Sequence, residues 1–304
     1  MYDIIIVGAG PAGLTAAIYA RRANKKVLVL EANTYGGQII NTKSIENYPV
    51  NPGISGFDFA TKLYNQTKDL GAEIKFEKVV DINETEVTTT KETYKTKTII
   101  LATGADNRKL KLENEEKLTG KGISYCATCD GAFYKNKVVA VQGGGNTAVE
   151  DAIYLSDIAD TVYLIHRRES FKAEEILLDQ LKEKQNVKIL LNTTVTKLNG
   201  EDKLESIEIT NNKETKTINI DGLFIAIGQV PETENFKKII NINEQGYVIA
   251  NEDCKTNIKN IFVAGDNRTK NLRQLVTATS DGAVAATEAI KYISENKEKK
   301  WKKS

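Results

Sequence analysis

The sequence contains few of the residues that build disulfide scaffolds and metal centres. Its 304 residues include only three cysteines, Cys126, Cys129 and Cys254, and one histidine, His166. Three cysteines exclude a scaffold of several disulfide bonds and are typical of a reducing compartment. We therefore expect a cytoplasmic protein.

Long hydrophobic runs and an excess of one charge are also missing. No segment approaches the run of about 18 apolar residues that a membrane-spanning helix needs. Lysine and arginine number 42 against 41 aspartate and glutamate residues, so the formal net charge of +1 predicts no binding to nucleic acid or membranes. A strand is predicted close to Met1, and we expect no secretory leader. A hydrophobic content of 40% over this length suffices for two domains.

The first motif is a glycine-rich loop between an apolar strand, residues 4–7, and a predicted helix, residues 14–22. Glycines here allow a tight turn, the approach of a pyrophosphate to the backbone and close packing of helix on strand. The next strand, residues 27–30, ends at Glu31, where a carboxylate binds a ribose hydroxyl pair. The alternative is a glycine turn in an ordinary strand–helix unit. The loop consists of Gly8, Ala9, Gly10, Pro11, Ala12 and Gly13.

The same pattern recurs after a shift of 135 positions, which brings Gly8 onto Gly143. Two apolar strands that end at a glycine, residues 98–105 and 222–229, repeat in the same way, each after a polar stretch that predicts a short antiparallel meander. The chain is therefore expected to contain two dinucleotide-binding units. The second loop consists of Gly143, Gly144, Gly145, Asn146, Thr147 and Ala148, and the motif permits alanine at its last position.

The two units differ at the position that selects the cofactor. The shift brings Glu31 onto His166, which Arg167 and Arg168 follow. A carboxylate repels a 2′-phosphate, whereas guanidinium groups bind one with paired hydrogen bonds. The first unit is therefore expected to bind a cofactor without that phosphate, and the second is expected to bind NADP(H). The alternative is a solvated basic patch at the end of a strand.

A cysteine pair, Cys126 and Cys129, precedes the second loop. This spacing is found in redox pairs, in halves of zinc sites and in incidental thiol pairs. A structural zinc site needs four ligands, and the remaining candidates, Cys254 and His166, are far apart in the sequence. The redox interpretation is favoured, because the spacing lowers the pKa of one thiol and permits a disulfide that exchanges with an attacking thiolate.

Residues 124–131 (SYCATCDG), 143–150 (GGGNTAVE) and 166–171 (HRRESF) together closely resemble the low-molecular-weight bacterial thioredoxin reductases. The resemblance extends almost from end to end. It implies an NADPH-dependent flavoprotein oxidoreductase with FAD, a redox-active disulfide and oxidised thioredoxin as its substrate partner. It also implies a homodimer.

Several further segments look like the FAD-contacting segments of that family, in which Glu31 binds the adenosine ribose, Asp266 the ribityl chain, and Arg273 with Gln274 the flavin ring edge. The alternative for Asp266 is a turn aspartate that caps the next helix. Besides the first loop, the implied FAD residues are Glu31, Gly36, Gly37, Gln38, Asn47, Ala102, Thr103, Gly104, Gly265, Asp266, Arg273, Gln274 and Leu275. The implied NADPH residues are Gly143, Gly144, Gly145, Asn146, Thr147, His166, Arg167, Arg168 and Lys172.

The resemblance also implies an α/β fold of two Rossmann-like dinucleotide-binding domains, each with a parallel sheet, helices and a β-meander. The FAD domain comprises residues 1–110 and 244–304. The NADPH domain, residues 111–243, is inserted between these two parts and carries the dithiol. Similar enzymes rotate the NADPH domain about two linkers, which we expect near residues 110–116 and 241–245.

The same resemblance assigns roles to the redox residues. Electrons pass from NADPH through FAD to the disulfide, with Cys129 facing the flavin, Cys126 attacking the thioredoxin disulfide and Asp130 managing the thiol proton. An aspartate with a pKa of about 4 is a poor acid at neutral pH, so burial must raise the pKa of Asp130. The alternative for Asp130 is a helix cap or turn residue. His166 lies on a nucleotide strand, which leaves no histidine for this role.

Some residues depart from the family. Lys172 stands where the family usually has a further arginine, so a weaker preference for NADPH is expected. Gln142 replaces an apolar residue, and Cys254 is expected to be a small packing residue. The open alternatives are a disulfide reductase for another thioredoxin-like partner, an alkyl hydroperoxide reductase flavoprotein, a ferredoxin-dependent relative and a non-catalytic FAD and NADPH redox sensor.

Overall fold

The computed structural model describes residues 1–42, 44–211 and 214–301, with side chains as far as residue 296. Within these residues the strands are β1 (Tyr2–Val7), β2 (Val27–Glu31), β3 (Glu73–Phe76), β4 (Val79–Ile82), β5 (Glu86–Thr89), β6 (Thr93–Leu101), β7 (Ala105–Asn107), β8 (Ile123–Ser124), β9 (Val138–Gly143), β10 (Thr161–Ile165), β11 (Val187–Leu190), β12 (Thr193–Asn199), β13 (Ser206–Asn211), β14 (Thr215–Asn219), β15 (Gly222–Ala226), β16 (Gln229–Pro231) and β17 (Ile261–Val263). The α-helices are α1 (Pro11–Arg22), α2 (Gly56–Asp69), α3 (Glu115–Leu118), α4 (Ala127–Asp130), α5 (Asn146–Ser156), α6 (Glu175–Lys182) and α7 (Leu275–Trp301). Two 3₁₀ helices cover Gly37–Asn41 and Gly131–Tyr134.

The chain divides into two compact units, one formed by Met1–Asp106 with Val230–Ser304 and the other by Asn107–Gln229. The second unit is therefore inserted into the first. Each unit contains a parallel sheet with an antiparallel meander, and the expected α/β fold of two Rossmann-like units is confirmed.

The sheet of the first unit has the strand order β3-β2-β1-β6-β5-β4, with β17 parallel to β6. Its central strands are apolar along their length, because both faces are covered. Ile4 and Ile6 face a core that includes residues of α1 and α7. Ile5 and Val7 face the opposite core. The glycine loop leaves the carboxyl end of β1 at the middle of this sheet, where open α/β sheets bind nucleotides.

The second unit repeats this plan, with the parallel order β11-β10-β9-β15-β8 and a separate antiparallel sheet β12-β13-β14. Val139 and Val141 of β9 pack on the side of α5 and α6. Ala140 faces the other side, where Ile207 of the meander is buried. The second glycine loop leaves β9 at the same place in its sheet as the first loop does in the first unit.

The unit boundaries differ from the expected ranges. Residues 230–243 belong to the first unit, because Phe236 and Ile240 are buried in its core. Leu110 and Leu112 pack against a core of the second unit. The chain therefore passes between the units at 106/107 and 229/230, and residues 110–116 and 241–245 each lie within one unit.

We also compared the helices that the structure describes with the requirements for a membrane-spanning helix. None of them combines the length and the apolar character that crossing a bilayer requires.

Candidate cofactor and redox sites

Two glycines of the first loop, Gly8 and Gly13, leave no room for a side chain. Gly8 has φ +110°, and a Cβ there would lie 2.2 Å from the carbonyl oxygen of Ala102. A Cβ at Gly13 would lie 1.9 Å from the carbonyl oxygen of Gly8. Gly10 caps α1 without a side chain, so the first N–H groups of the helix stay accessible to an anion.

The segment around Gly36 and Gly37 lies against this loop. Both glycines have positive φ, +104° and +58°, and the Gly36 N–H donates to the carbonyl of Ala9 at 2.8 Å. A Cβ at Gly37 would lie 3.3 Å from the Cα of Gly10. Two side-chain hydrogen bonds connect other expected FAD residues to distant parts of the first unit. Gln38 donates to Asp106, and Asn47 Nδ2 donates to Gln274 Oε1 at 3.0 Å.

Glu31 lies at the end of β2 beside the loop. One carboxylate oxygen accepts the Ala9 N–H at 2.8 Å, and the other accepts the Asn33 N–H at 2.9 Å. Each carboxylate oxygen has a further lone pair, so these bonds leave acceptor capacity for hydroxyl donors.

Asp266 and Asn267, which follow β17, carry buried acceptors that the described protein groups leave unsatisfied. Neither Asp266 Oδ1 nor Asn267 Oδ1 has a hydrogen-bond partner among the described residues. The Asn267 amide donates to Thr103 Oγ1 at 3.1 Å and to the Leu101 carbonyl at 3.3 Å. Burial raises the pKa of Asp266, and the positive charges of Lys270 and Arg273 offset part of that rise. An unpaired buried acceptor is costly, and a ligand rich in hydroxyl groups would satisfy it.

Arg273 lies directly beside Asp266. Its Nε donates to the Asp266 carbonyl at 3.2 Å, its Nη2 donates to the Arg268 carbonyl at 3.1 Å, and its guanidinium stacks over the Tyr247 ring at 4.1 Å. Leu275 follows as the first residue of α7. The structure thus brings the expected segments around residues 8, 36, 102 and 265 to one edge of the first sheet, and these residues fit a dinucleotide that carries a polyhydroxylated chain.

The second loop has the same steric character. A Cβ at Gly143 would lie 2.3 Å from the Ala226 carbonyl oxygen, and one at Gly144 would lie 2.0 Å from His166 Nδ1. Gly145 has open space around it and caps α5. The Asn146 side chain pairs with Glu174, donating to its carboxylate at 2.8 Å and accepting its N–H at 2.9 Å. Thr147 is exposed on the first turn of α5.

His166 occupies a different position from the arginines that follow it. The residue is 8% exposed. Its ring stacks on Phe171 with 5.3 Å between centroids and bonds the Ser170 carbonyl through Nε2 at 3.0 Å. Burial lowers the pKa of His166. The ring lies directly against Gly144, whereas Arg167 and Arg168 are exposed. Lys172 is held at the loop by its backbone N–H, which donates to the Gly144 carbonyl at 2.8 Å.

Cys126 and Cys129 form a disulfide bond with 5.3 Å between their Cα atoms. Cys126 is the N-cap residue of α4, and Asp130 is the last residue of that helix. Ser124 Oγ donates to Asp130 Oδ2 at 2.6 Å. Burial raises the pKa of Asp130, and the hydrogen bond from Ser124 opposes part of that rise. Asp130 is also the N-cap residue of the 3₁₀ helix Gly131–Tyr134, but its side chain makes no capping hydrogen bond there.

The comparisons with known proteins agree with this geometry. The family model described as pyridine nucleotide-disulphide oxidoreductase matches residues 2–282. This chain belongs to that family. Thioredoxin reductase of Listeria innocua is 43% identical over 309 aligned positions, which cover 98% of this chain and 96% of the relative. A 34.2 kDa protein in the rubredoxin operon of Clostridium pasteurianum is 45% identical over 298 positions, covering 96% and 97%.

A solved structure also matches this member of the family over nearly its whole length. The crystal structure of thioredoxin reductase from Streptococcus pyogenes matches with a TM-score of 0.93 and 39% identity, over 97% of this chain and 99% of that one. The resemblance expected from the motifs is therefore confirmed, and the chain is an oxidoreductase.

Sequence reasoning missed a buried ion cluster behind the Gly265–Asp266 turn of this oxidoreductase. Asp281 on α7 accepts the Gly265 N–H at 2.9 Å, two bonds from Arg268 at 2.8 Å each and one from Lys270 at 2.8 Å. The Arg268 and Asp281 side chains are almost fully buried. Asp281 interrupts an alanine-rich segment of α7, and that charge among small residues was the available signal.

Two other departures have simple structural explanations. Gln142 is buried, and its Oε1 accepts the N–H of Val195 in the meander at 3.2 Å. Cys254 is fully buried beside Asp281, and burial raises the pKa of its thiol to about 12. The described residues contain no cluster of ligands suited to a metal ion.

Proposed function

We propose that this oxidoreductase is an NADPH-dependent thioredoxin reductase, which transfers electrons from NADPH through FAD and the Cys126–Cys129 disulfide to oxidised thioredoxin. The observation that carries the proposal is the Cys126–Cys129 disulfide, which lies in a nucleotide-binding unit. Asp130, a half-buried carboxyl, is the last residue of the helix for which Cys126 is the N-cap. Relatives that match almost the whole chain are named thioredoxin reductase.

The first unit would hold FAD. The residues proposed for the pyrophosphate are those of the first loop, Gly8 to Gly13, at the N-terminus of α1. Glu31 would accept from the adenosine ribose, Asp266 from the ribityl chain, and Arg273 with Gln274 would border the flavin ring. The segments around Gly36, Asn47 and Thr103 complete this site. When bound, FAD supplies a two-electron relay between a nicotinamide and a disulfide.

The second unit would hold NADPH. Gly143 to Thr147 would place the pyrophosphate at the N-terminus of α5, and Arg167 and Arg168 would bind the 2′-phosphate with charge-assisted hydrogen bonds. Lys172 would add a point charge. His166 would act through the loop backbone, because its ring lies against Gly144 and its charge is disfavoured by burial.

The chain's own residues account for the exchange with thioredoxin. In the reduced protein, the Cys126 thiolate attacks one sulfur of the thioredoxin disulfide, forms a mixed disulfide and releases the other thioredoxin sulfur as a thiolate. The Cys129 thiolate then attacks Cys126, re-forms the intramolecular disulfide and releases reduced thioredoxin. The two protons of the dithiol pass to thioredoxin. Asp130, whose pKa is raised by burial, is the group proposed to hold and deliver a proton at these sulfurs.

The cellular setting belongs to the same proposal. The low cysteine content supports a reducing compartment, and we propose the cytoplasm. The proposed assembly is a homodimer, as the resemblance to thioredoxin reductases implies.

The test uses the purified protein loaded with FAD. NADPH added without oxygen should bleach the flavin absorbance, and oxidised thioredoxin should then restore it with continuous NADPH consumption. A Cys126→Ser variant should still bleach but should not reduce thioredoxin. Bleaching without turnover on any thioredoxin, including that of the host, would overturn the reductase proposal and favour a redox sensor.

A further inference from the structure

A buried carboxylate organises the segment that precedes the redox cysteines. Glu115, at the start of α3, is 2% exposed. Its carboxylate accepts the N–H groups of Leu110 at 2.9 Å, Lys111 at 2.7 Å and Leu112 at 3.3 Å. Lys111 and Asn114 have positive φ, +63° and +65°, so the carboxylate stabilises a turn that the backbone disfavours.

The fourth donor to this carboxylate comes from the redox loop. The Tyr125 hydroxyl donates to Glu115 Oε1 at 2.8 Å, and Tyr125 immediately precedes Cys126. Burial and the Glu115 carboxylate both raise the pKa of Tyr125, so the hydroxyl stays a donor through the neutral range. The ring packs against the core that contains Leu118 and Ile123.

Hydrogen bonds of both preceding residues, Ser124 and Tyr125, therefore hold the backbone at Cys126. Ser124 bonds Asp130 through Oγ, and the same oxygen accepts the Cys126 N–H at 3.1 Å. Tyr125 bonds Glu115, which is itself held by three backbone groups. These hydrogen bonds restrict the conformation of the backbone immediately before Cys126.

We propose that Tyr125 is a positioning residue for Cys126, which acts through its hydrogen bond to Glu115. The proposal rests on the proposed function, because it concerns the attack of Cys126 on a partner disulfide. The in-line geometry of thiol exchange makes the rate sensitive to the placement of the attacking sulfur.

The test compares Tyr125→Phe with a matched control, Tyr163→Phe. Phenylalanine keeps the packing of the ring and removes only the hydroxyl. Tyr163 lies in the same unit, and its hydroxyl makes no hydrogen bond with the residues that the structure describes. We expect kcat with thioredoxin to fall about tenfold in Tyr125→Phe, because that is the loss that follows from removing one hydrogen bond to a charged group. KM for NADPH and the rate of flavin bleaching should stay unchanged. The control should match the wild type.

A second readout needs no turnover. The rate at which iodoacetamide alkylates Cys126 in the reduced protein is measured across pH, and its profile should shift in Tyr125→Phe but not in Tyr163→Phe. In a Glu115→Gln background, Tyr125→Phe should have little further effect on either readout, because the two residues act as one unit.

Two results would overturn the proposal. One is that Tyr125→Phe matches Tyr163→Phe in both kcat and the alkylation profile. The other is a lower free energy of unfolding with both readouts unchanged, which would make the hydrogen bond purely structural. A wild-type protein that bleaches but reduces no thioredoxin would overturn the proposed function instead, and the alkylation profile would still decide the role of Tyr125.

Discussion

Ser124 Oγ lies 2.6 Å from Asp130 Oδ2, and the hydroxyl donates to a carboxylate whose pKa burial has already raised. The two effects act in opposite directions, because burial favours the protonated acid and the hydrogen bond favours the carboxylate. The pH at which Asp130 holds a proton therefore depends on Ser124.

The first prediction follows from this pair. Ser124→Ala removes a donor to the charged form, so the pKa of Asp130 should rise, and the alkaline limb of the pH profile of kcat with thioredoxin should move to higher pH. Asp130→Asn should lower kcat by about 100-fold or more, the usual loss for a general acid. Ser294→Ala, an exposed serine of α7, is the control. An unchanged alkaline limb in Ser124→Ala would show that Asp130 does not set it.

Arg167 and Arg168 should select NADPH over NADH. Replacing both by glutamine should raise KM for NADPH by about 10-fold to 100-fold and leave KM for NADH unchanged, because only the 2′-phosphate contact is lost. Lys203→Gln, at an exposed lysine of the same unit, controls for the loss of a positive charge away from the loop. Wild-type protein that NADH bleaches as fast as NADPH would contradict the assignment.

His166 should make folding stability depend on pH in the mildly acidic range. Burial lowers the pKa of this imidazole, so the unfolded chain binds its proton more readily. The stabilisation is present above the ordinary pKa of about 6.5 and is lost as pH falls through the lower folded value. Urea unfolding at several pH values should show this loss in the wild type and less of it in His166→Asn. His166 is the only histidine, so an imidazole NMR titration at or above the ordinary pKa would contradict the prediction.

Asp281 should matter for both folding and FAD binding. Burial alone would raise its pKa, but the bonds from Arg268 and Lys270 outweigh burial and hold the pKa below its usual value. Its contribution is therefore present above a pH of about 4 and is lost as pH falls further. Asp281→Asn should cost about 3–5 kcal/mol in the free energy of unfolding, because it removes the buried carboxylate that pairs with Arg268 and leaves only the exposed Glu252 as its charged partner. It should also weaken FAD binding in reconstitution of the apoprotein, since the Gly265 N–H loses its charged acceptor. Glu295→Gln on the same helix should change neither.

Alanine substitutions at Gly8 and Gly53 should distinguish the cost of a positive φ from the cost of a steric clash. Both have positive φ, but a Cβ at Gly53 would meet nothing within 4 Å, whereas one at Gly8 would meet the Ala102 carbonyl at 2.2 Å. Gly53→Ala should lower the free energy of unfolding by about 1–2 kcal/mol and leave FAD binding intact. Gly8→Ala should cost more and should abolish FAD retention, measured as the flavin-to-protein absorbance ratio. Equal effects would show that close packing at Gly8 is unimportant.

The amino-acid sequence was sufficient for the two nucleotide-binding units. Glycine spacing, apolar strands and the exchange of Glu31 for His166 are local patterns, and the backbone conformations that they require are local as well. The same local logic identified the Cys126–Cys129 pair. The unit boundary near residue 243 was misplaced because the burial of Phe236 and Ile240 depends on a sheet formed far away in the chain.

Only the tertiary structure decided which polar groups act together. Arg268 and Asp281, Gln142 and Val195, and Tyr125 and Glu115 are each at least ten residues apart, and no periodicity connects them. Their pairing is set by burial, because a charged or polar group removed from water must find its partner in the folded chain. For the same reason the sequence grouped His166 with two arginines, whereas in the fold its ring lies against Gly144 and burial lowers its pKa.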